Sequence, residues 1–296
     1  MNRLPSSIEA PSWLPLAALV CGGIALGLGG LFVRLADTGP VSTAFWRLLL
    51  ALPFMMLLAR LNDPSPADIP RRSLAIVALG GIAFAIDLSL WHVGVGMTRL
   101  ANATLFGNGA SLVLMVWGFV VARTFPARLE WVAMLLAIGG AAILMGRSLE
   151  VSATTLLGDL FSLGAGLVYA CYLLMLRSAR QQVGPWTMLV LVSVAACPFL
   201  LLVAVGLGES VWPRDWTPLV CLAFVSQILG QGLLVFAMRH FSAMVLGMAL
   251  LIQPAVAALS GVWFLGERLA IADLVGILLV ASALAMAAGR QVGPRR

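Results

Sequence analysis

The sequence predicts an all-α integral membrane protein with ten transmembrane helices, arranged as two inverted five-helix repeats. The first observation is composition: 61% of the 296 residues are hydrophobic and only 10% are charged, whereas a soluble domain carries about 25% charged residues. The second is a series of ten apolar runs, and the third is a pattern that recurs in both halves. Lipid can face apolar side chains that a water-soluble globule of this size could not cover.

Each apolar run is close to the length of about 20 residues that crosses a bilayer as a helix. Short segments rich in proline and charged residues separate the runs. The predicted spans are 14–33, 41–60, 73–93, 99–121, 130–147, 155–177, 185–206, 217–238, 242–264 and 269–288. They leave no stretch long enough for a separate soluble domain.

The basic residues, all of them arginine, predict the orientation. If the N-terminus and the even-numbered loops share one side, that side holds twelve arginines: Arg3, Arg60, Arg71, Arg72, Arg123, Arg128, Arg177, Arg180, Arg239, Arg290, Arg295 and Arg296. The other side holds five, namely Arg34, Arg99, Arg147, Arg214 and Arg268. Because loops rich in arginine stay in the cytoplasm, both termini are predicted to be cytoplasmic, in the inner (cytoplasmic) membrane of the cell.

The two halves of the chain share a pattern. Gly39-Pro40 precedes Pro53-Phe54, and Gly184-Pro185 precedes Pro198-Phe199, at a constant offset of 145 residues. We therefore divide the chain into a first repeat, 1–147, and a second repeat, 148–296. Five helices is an odd number, so the second copy would cross the membrane in the opposite direction. Inverted repeats with a binding site at their interface are a recurring design of transporters.

Other function classes lack their sequence features. The four cysteines lie far apart in apolar runs, without a CxxC motif or a neighbouring histidine, which predicts buried thiols rather than metal ligands. The GxxxG spacing of Gly23 and Gly27 is typical of close helix packing, and these glycines follow no strand, as a dinucleotide loop would require. There is no Walker A sequence, HExxH motif or paired catalytic carboxylate. We predict no enzyme activity, cofactor, metal or nucleic-acid partner.

Two ionisable residues inside predicted helices require an explanation, because insertion of such a residue into the membrane costs about 2.5–3.5 kcal/mol. They are Arg47 in the second span and Asp87 in the third. Both lie about 10 Å below the outer surface, at 1.5 Å per residue. Either they form an ion pair that joins two helices, or Asp87 faces a cavity as a cation or proton site, with Arg47 available to a carboxylate. Trp46, next to Arg47, joins the candidate site.

Further polar side chains lie at similar depth. Trp91, one turn after Asp87, is either an interfacial aromatic or a cavity residue, and His92 is either an interfacial hydrogen-bonding residue or a titrating group. Four other helices carry side chains that are either interhelical contacts or ligand contacts: Asn102, Asn108, Tyr169, Gln227 and Gln253. Several such groups at one depth favour a shared cavity, because lipid cannot solvate them.

Four segments carry a family resemblance: Asp87-Leu88-Ser89-Leu90-Trp91-His92, Ala101-Asn102-Ala103-Thr104-Leu105, Gly158-Asp159-Leu160 and, after Pro254, Phe264-Leu265-Gly266-Glu267-Arg268-Leu269. Over about residues 14–288 the chain resembles the drug/metabolite transporter superfamily, specifically its EamA-type branch. The resemblance implies ten helices in two inverted repeats, cytoplasmic termini and alternating access around a central cavity. It also implies export of amino acids or related metabolites, in a group that includes aromatic-amino-acid exporters.

One departure from the family pattern separates the two repeats. Val113 stands near the position that Pro254 occupies in the second repeat, and the following loop reads Phe125-Pro126 rather than Gly-Glu. The roles of that proline and that glutamate therefore carry over only to the second repeat.

The predicted function is export of amino acids or related small metabolites by alternating access. The predicted partners are the lipid bilayer and a small-molecule substrate, and the oligomeric state is left open. The alternatives are a multidrug carrier, a nucleotide-sugar-like carrier and a non-transporting membrane scaffold. A proton relay at Asp87 or His92 and facilitated diffusion both fit the sequence.

Overall fold

The computed structural model describes residues 13–64, 69–98, 100–122, 128–146, 153–265, 271, 274–276, 278–279, 282–283 and 286. All regular structure within these ranges is helical. In chain order the helices are α1 (Trp13–Gly27), α2 (Gly29–Leu35), α3 (Pro40–Asn62), α4 (Arg71–Met97), α5 (Leu100–Gly107), α6 (Gly109–Ala122), α7 (Arg128–Gly146), α8 (Ala153–Ala179), α9 (Pro185–Gly206), α10 (Thr217–Cys221), a π-helical segment (Leu222–Gln231), α11 (Gly232–Met238), α12 (Ala243–Leu250) and α13 (Ile252–Leu265).

Seven helical stretches in the described part of the chain are long and apolar enough to cross a membrane, which confirms a multi-pass helical membrane protein. They are Trp13–Leu35, Pro40–Asn62, Arg71–Met97, Leu156–Ala179, Pro185–Gly206, Thr217–Met238 and Val245–Phe264. These match the predicted first, second, third, sixth, seventh, eighth and ninth spans. Helices α5 and α6 together occupy the predicted fourth span and α7 the fifth, whereas the tenth, 269–288, lies only partly within the described residues.

The distribution of side chains reverses that of a soluble protein. Large apolar side chains cover the outside, for example Leu202, which is 74% exposed, and Trp263, which is 77% exposed. Ser193, His92 and Gln227 are instead fully buried between helices. This arrangement suits a bilayer, because lipid solvates apolar groups and leaves polar groups unsatisfied.

Several spans are interrupted part-way along their length. In the predicted fourth span, Asn108 separates α5 from α6, and in the ninth, Leu251 separates α12 from α13. Pro254 accounts for the second break, because it lacks the N–H that would bond the Leu250 carbonyl. The eighth span contains the π-helical Leu222–Gln231, a rare geometry that is frequent at functional sites.

Glycines on α1 allow close packing against α13. A Cβ atom on Gly27 would lie 2.8 Å from the Val256 Cβ, and one on Gly23 would collide with Ile252. This confirms that the GxxxG spacing serves helix packing, in which small residues let two backbones approach.

We expect Gly27→Leu to destabilise the protein by about 1–3 kcal/mol, because overpacking forces neighbouring helices apart. Thermal unfolding in detergent measures the effect as a lower Tm. The matched control is Gly96→Leu, because a Cβ on Gly96 has nothing within 4 Å. Equal Tm values for the two variants would contradict this packing.

Candidate functional site

A polar cavity of about 60 Å³ lies among helices from both halves of the chain. Its polar lining comes from six spans: Arg47 of α3, Asp87 of α4, Thr104 and Asn108 of the α5–α6 region, Tyr169 of α8, Ser226 and Gln231 of the π-helical segment, and Gln253 of α13. Leu26, Phe84, Leu88 and Trp91 form apolar parts of the wall. A volume of this size accommodates a few water molecules.

The structure brings six of the ten predicted site residues to this cavity. They are Arg47, Asp87, Trp91, Asn108, Tyr169 and Gln253. They belong to five spans that are far apart in the sequence. Polar groups at a common depth on separate helices therefore share one chamber, as their positions along the spans predict.

Arg47 presents an incompletely paired guanidinium to the cavity. Its side chain is 4% exposed, and its Nε donates a hydrogen bond to the Gln227 Oε1 at 3.0 Å. The guanidinium carbon lies 6.0 Å from the centre of the Phe84 ring. Among the described residues, no group accepts a hydrogen bond from its two terminal nitrogens. Gln227 thus holds one edge of the guanidinium and leaves the other free for an anion.

Asp87 supplies the opposite charge. Its side chain is 7% exposed and lines the same cavity. Within the described ranges, its carboxylate accepts no hydrogen bond, and no nitrogen of Arg47 lies within the 4.0 Å that defines an ion pair. Arg47 and Asp87 therefore line one chamber without direct contact between their side chains.

An aromatic and amide wall adjoins these charges. The Tyr169 hydroxyl accepts a hydrogen bond from the Gln231 Nε2 at 3.1 Å. Phe84 stacks on Tyr172, with ring centroids 4.5 Å apart. The Gln231 Oε1 and the Ser226 Oγ are buried and have no partner among the described groups. A buried unpaired polar group costs about 1–3 kcal/mol, so these atoms favour a polar occupant.

The break between α5 and α6 shapes another part of the cavity. A Cβ atom on Gly107 would lie 2.9 Å from the Trp91 Nε1, so glycine leaves the space that the indole occupies. Asn108 donates from its Nδ2 to the Thr104 carbonyl at 2.5 Å. That bond stabilises the end of α5 and leaves the amide oxygen of Asn108 for the cavity.

Trp46 lies outside the cavity, near the start of α3. Its Nε1 donates to the Val211 carbonyl at 2.6 Å. Its ring packs against Trp212 and Trp216, with centroids 5.4 and 4.9 Å away. In this structure Trp46 therefore joins α3 to the loop that follows α9.

Of the three other predicted site residues, His92 and Gln227 do not line the cavity either. His92 is fully buried, and its Nδ1 lies 3.0 Å from the Pro40 carbonyl oxygen. Gln227 is fully buried, and its Oε1 accepts the hydrogen bond from the Arg47 Nε. Asn102 lies on α5, and its side chain is outside the described part of the structure.

Seven residues that line the cavity were not in the predicted site: Leu26, Phe84, Leu88, Thr104, Gly107, Ser226 and Gln231. Gln231 follows Gln227 by one α-helical turn, so its spacing was an available signal. No such spacing in the sequence indicated Ser226. Five residues of α-helix separate two side chains by about 140°, whereas π-helical winding, with its i→i+5 hydrogen bonds, places Ser226 and Gln231 on one side.

Comparisons with known proteins place this geometry in a family. The model of the EamA-like transporter family matches the chain twice, over residues 13–146 and again over 156–289. A crystal structure with 14% sequence identity superposes with a TM-score of 0.74, over 93% of this chain and 96% of the other chain, and so shows the same fold.

Curated relatives match along most of their length. The threonine/homoserine exporter RhtA of Escherichia coli (strain K12) is 27% identical over 290 residues, which cover 94% of this chain and 94% of that protein. The protein of the same name from Salmonella typhimurium (strain LT2) is 26% identical over 286 residues, 94% of this chain and 92% of its own. The uncharacterized transporter YwfM of Bacillus subtilis (strain 168) is 24% identical over 220 residues, 69% of this chain and 70% of its own. The chain belongs to the EamA-like transporter family.

Proposed function

We propose that this transporter exports small zwitterionic amino acids, with Arg47 binding the carboxylate and Asp87 binding the ammonium group. One observation carries the proposal: a basic and an acidic side chain, Arg47 and Asp87, line a single buried cavity, and among the described residues neither has a direct ionic partner. An α-amino acid bears the two complementary charges on adjacent positions.

The energetics favour this class of solute. A buried charge without a partner costs several kcal/mol, and the cost falls when a complementary charge arrives with good geometry. A zwitterion would pair Arg47 and Asp87 at once, and it is neutral overall. The net charge of the cavity therefore stays the same whether the carrier is loaded or empty, which limits the cost of moving the loaded site through the membrane.

The relatives point to the same solute class. Two curated relatives that match over 94% of this chain are named threonine/homoserine exporters. The hydroxyl of such a substrate would suit the amide and hydroxyl groups of Gln231, Gln253 and Ser226 at the cavity wall. This supports a small polar amino acid as cargo.

The proposed topology is ten spans in two inverted repeats, 1–147 and 148–296, with cytoplasmic termini in the inner membrane. The double family match supports two copies. So does a repeated contact: Arg34 donates to the Thr98 carbonyl, and Arg177 donates to the Phe241 carbonyl at 2.6 Å. Both partners of the second contact lie 143 residues after their counterparts in the first. Each arginine stabilises the C-terminal end of a helix, where cations are favoured.

The rival substrates meet an unfavourable charge. A cationic drug would pair with Asp87 but would be repelled by Arg47. A nucleotide sugar would bring negative phosphates close to Asp87, and Arg47 is the one arginine among the described lining residues that could bind them. Each would leave one buried charge uncompensated.

Counterflow in proteoliposomes tests the proposal. Proteoliposomes that contain the purified protein are loaded with unlabelled amino acid, and entry of radiolabelled threonine, homoserine or phenylalanine into them is measured. We expect amino-acid flux that neither a quaternary-ammonium drug nor a nucleotide sugar inhibits. Inhibition by either compound would favour that rival class, and absence of flux for every solute would indicate a scaffold.

A further inference from the structure

Carboxylates join α3 and α9 to each other at both ends. Glu209, which follows α9, accepts hydrogen bonds from the backbone nitrogens of Val41, at 3.1 Å, and Ser42, at 2.7 Å, in the first turn of α3. Asp63, which follows α3, accepts one from the backbone nitrogen of Thr187, at 2.6 Å, in the first turn of α9. The end of each helix thus meets the beginning of the other, so the two helices are antiparallel and closed at both ends.

The repeated Gly-Pro pairs of the sequence explain how these contacts fit. A Cβ atom on Gly39 would lie 2.5 Å from the Glu209 Cβ, and one on Gly184 would lie 2.6 Å from the Asp63 Cβ, so only glycine leaves room for the carboxylates. Proline then begins each helix, at a position that needs no N–H. A carboxylate also favours the positive end of the helix dipole.

The two helices pack on each other between these ends. Fully buried side chains face the protein interior along both, among them Val41, Leu48 and Met55 of α3 and Leu189 and Leu200 of α9. Of the residues that line the cavity, α3 supplies Arg47 and α9 supplies none. A solute path through the described helices therefore does not run between α3 and α9.

More contacts between the halves strengthen one end of the pair. The Gly39 nitrogen donates to the Ser210 carbonyl at 3.0 Å. Asp37 accepts from the backbone nitrogens of Arg214, at 2.9 Å, and Asp215, at 3.2 Å. At the other end, Ser73 donates to the side-chain oxygen of Gln182. A 23-residue helix is roughly 35 Å long, so the two ends lie at opposite faces of a bilayer.

We infer that α3 and α9 form one rigid unit whose two carboxylate contacts persist through the whole transport cycle, while other helices move against it. The inference rests on the proposed function, because only a carrier has such a cycle. In alternating access, the gate at one membrane face is open while the gate at the other face is closed. The Glu209 and Asp63 contacts, in contrast, are both formed in the same structure. The rival explanation is an occluded state, in which both contacts are closed for a moment and then open in turn.

Disulfides that replace the carboxylate contacts test the rigid unit. In a parent with alanine at Cys21, Cys171, Cys197 and Cys221, one double variant carries Gly39→Cys with Glu209→Cys, and another carries Gly184→Cys with Asp63→Cys. Disulfides need Cβ atoms about 3.5–4.5 Å apart, so each pair has to separate by roughly 1 Å. A quadruple variant carries both pairs, and mass spectrometry counts the disulfides in one molecule.

If the unit is rigid, both disulfides form in the same molecule and oxidation changes amino-acid counterflow by less than about twofold. Loss of flux on oxidation, with recovery after reduction, would overturn the inference, because the ends would then have to separate. Failure of either disulfide to form would overturn it too. A parent that carries no amino acid would refute the proposed function instead. In that case the rigid unit is judged by whether both disulfides form quantitatively together.

Discussion

Arg47→Gln should raise the KM for amino-acid counterflow by about 100-fold. Removal of one partner of a buried charge interaction costs about 2–5 kcal/mol, and a tenfold change corresponds to about 1.4 kcal/mol. The substrate carboxylate would lose the guanidinium nitrogens that bind it. Gln227 would lose the hydrogen bond that its Oε1 accepts from the Arg47 Nε. Arg47→Lys should be intermediate, because lysine keeps the charge but not the planar pair of donors.

The matched control is Arg60→Gln, which removes an exposed arginine from the last turn of the same helix. That variant should keep the wild-type KM. Similar KM values for Arg47→Gln and wild type, in protein that unfolds at an unchanged Tm, would exclude Arg47 from substrate binding.

Asp87→Asn should produce a loss of similar size, about 100-fold in KM, because the ammonium group of the substrate would lose the one carboxylate among the described residues that line the cavity. Asn has nearly the same shape, so the change tests charge rather than packing. The control is Asp159→Asn. Asp159 is also buried, but it accepts a hydrogen bond from the Thr98 hydroxyl at 2.7 Å and does not line the cavity.

The same variant tests energy coupling. If a pH gradient accelerates wild-type transport, Asp87→Asn should remove that acceleration. Acceleration that survives in Asp87→Asn would exclude this carboxylate as the proton site.

Composition and hydropathy were sufficient to predict the helical class and most of the spans, because a 20-residue apolar run has few alternatives in lipid. The interruptions were harder to predict. Asn108 and Leu251 separate helices within apolar runs, and only Pro254 gave a local reason for a break. The π-helical winding of Leu222–Gln231 has no signal in residue type, because it depends on tertiary packing.

The cavity was predicted in outline but not in detail. Depth along each span brought Arg47, Asp87, Tyr169 and Gln253 together, because depth follows from residue number at 1.5 Å per residue. Whether a side chain faces the cavity depends on the rotation of its helix, which hydropathy does not determine in a helix with apolar residues on all sides. His92, which bonds to a neighbouring backbone rather than lining the cavity, illustrates this difference.

The repeated Gly-Pro pairs show the opposite case. Their offset of 145 residues was visible in the sequence, and the carboxylates Asp63 and Glu209 recur at nearly the same offset, 146 residues. Each carboxylate, however, contacts the glycine of the other repeat. A contact between a loop and a distant helix start needs the fold before it can be recognised.

Competition by single-charge analogues tests most directly whether the cavity recognises both charges of an amino acid. Counterflow of labelled threonine would be measured in the presence of one of three competitors. These are unlabelled threonine, the analogue that lacks the carboxylate and the analogue that lacks the amine. If Arg47 binds the carboxylate and Asp87 binds the ammonium group, each analogue should compete at least about 100-fold more weakly than threonine. An analogue that competes as well as threonine would contradict the paired-charge site.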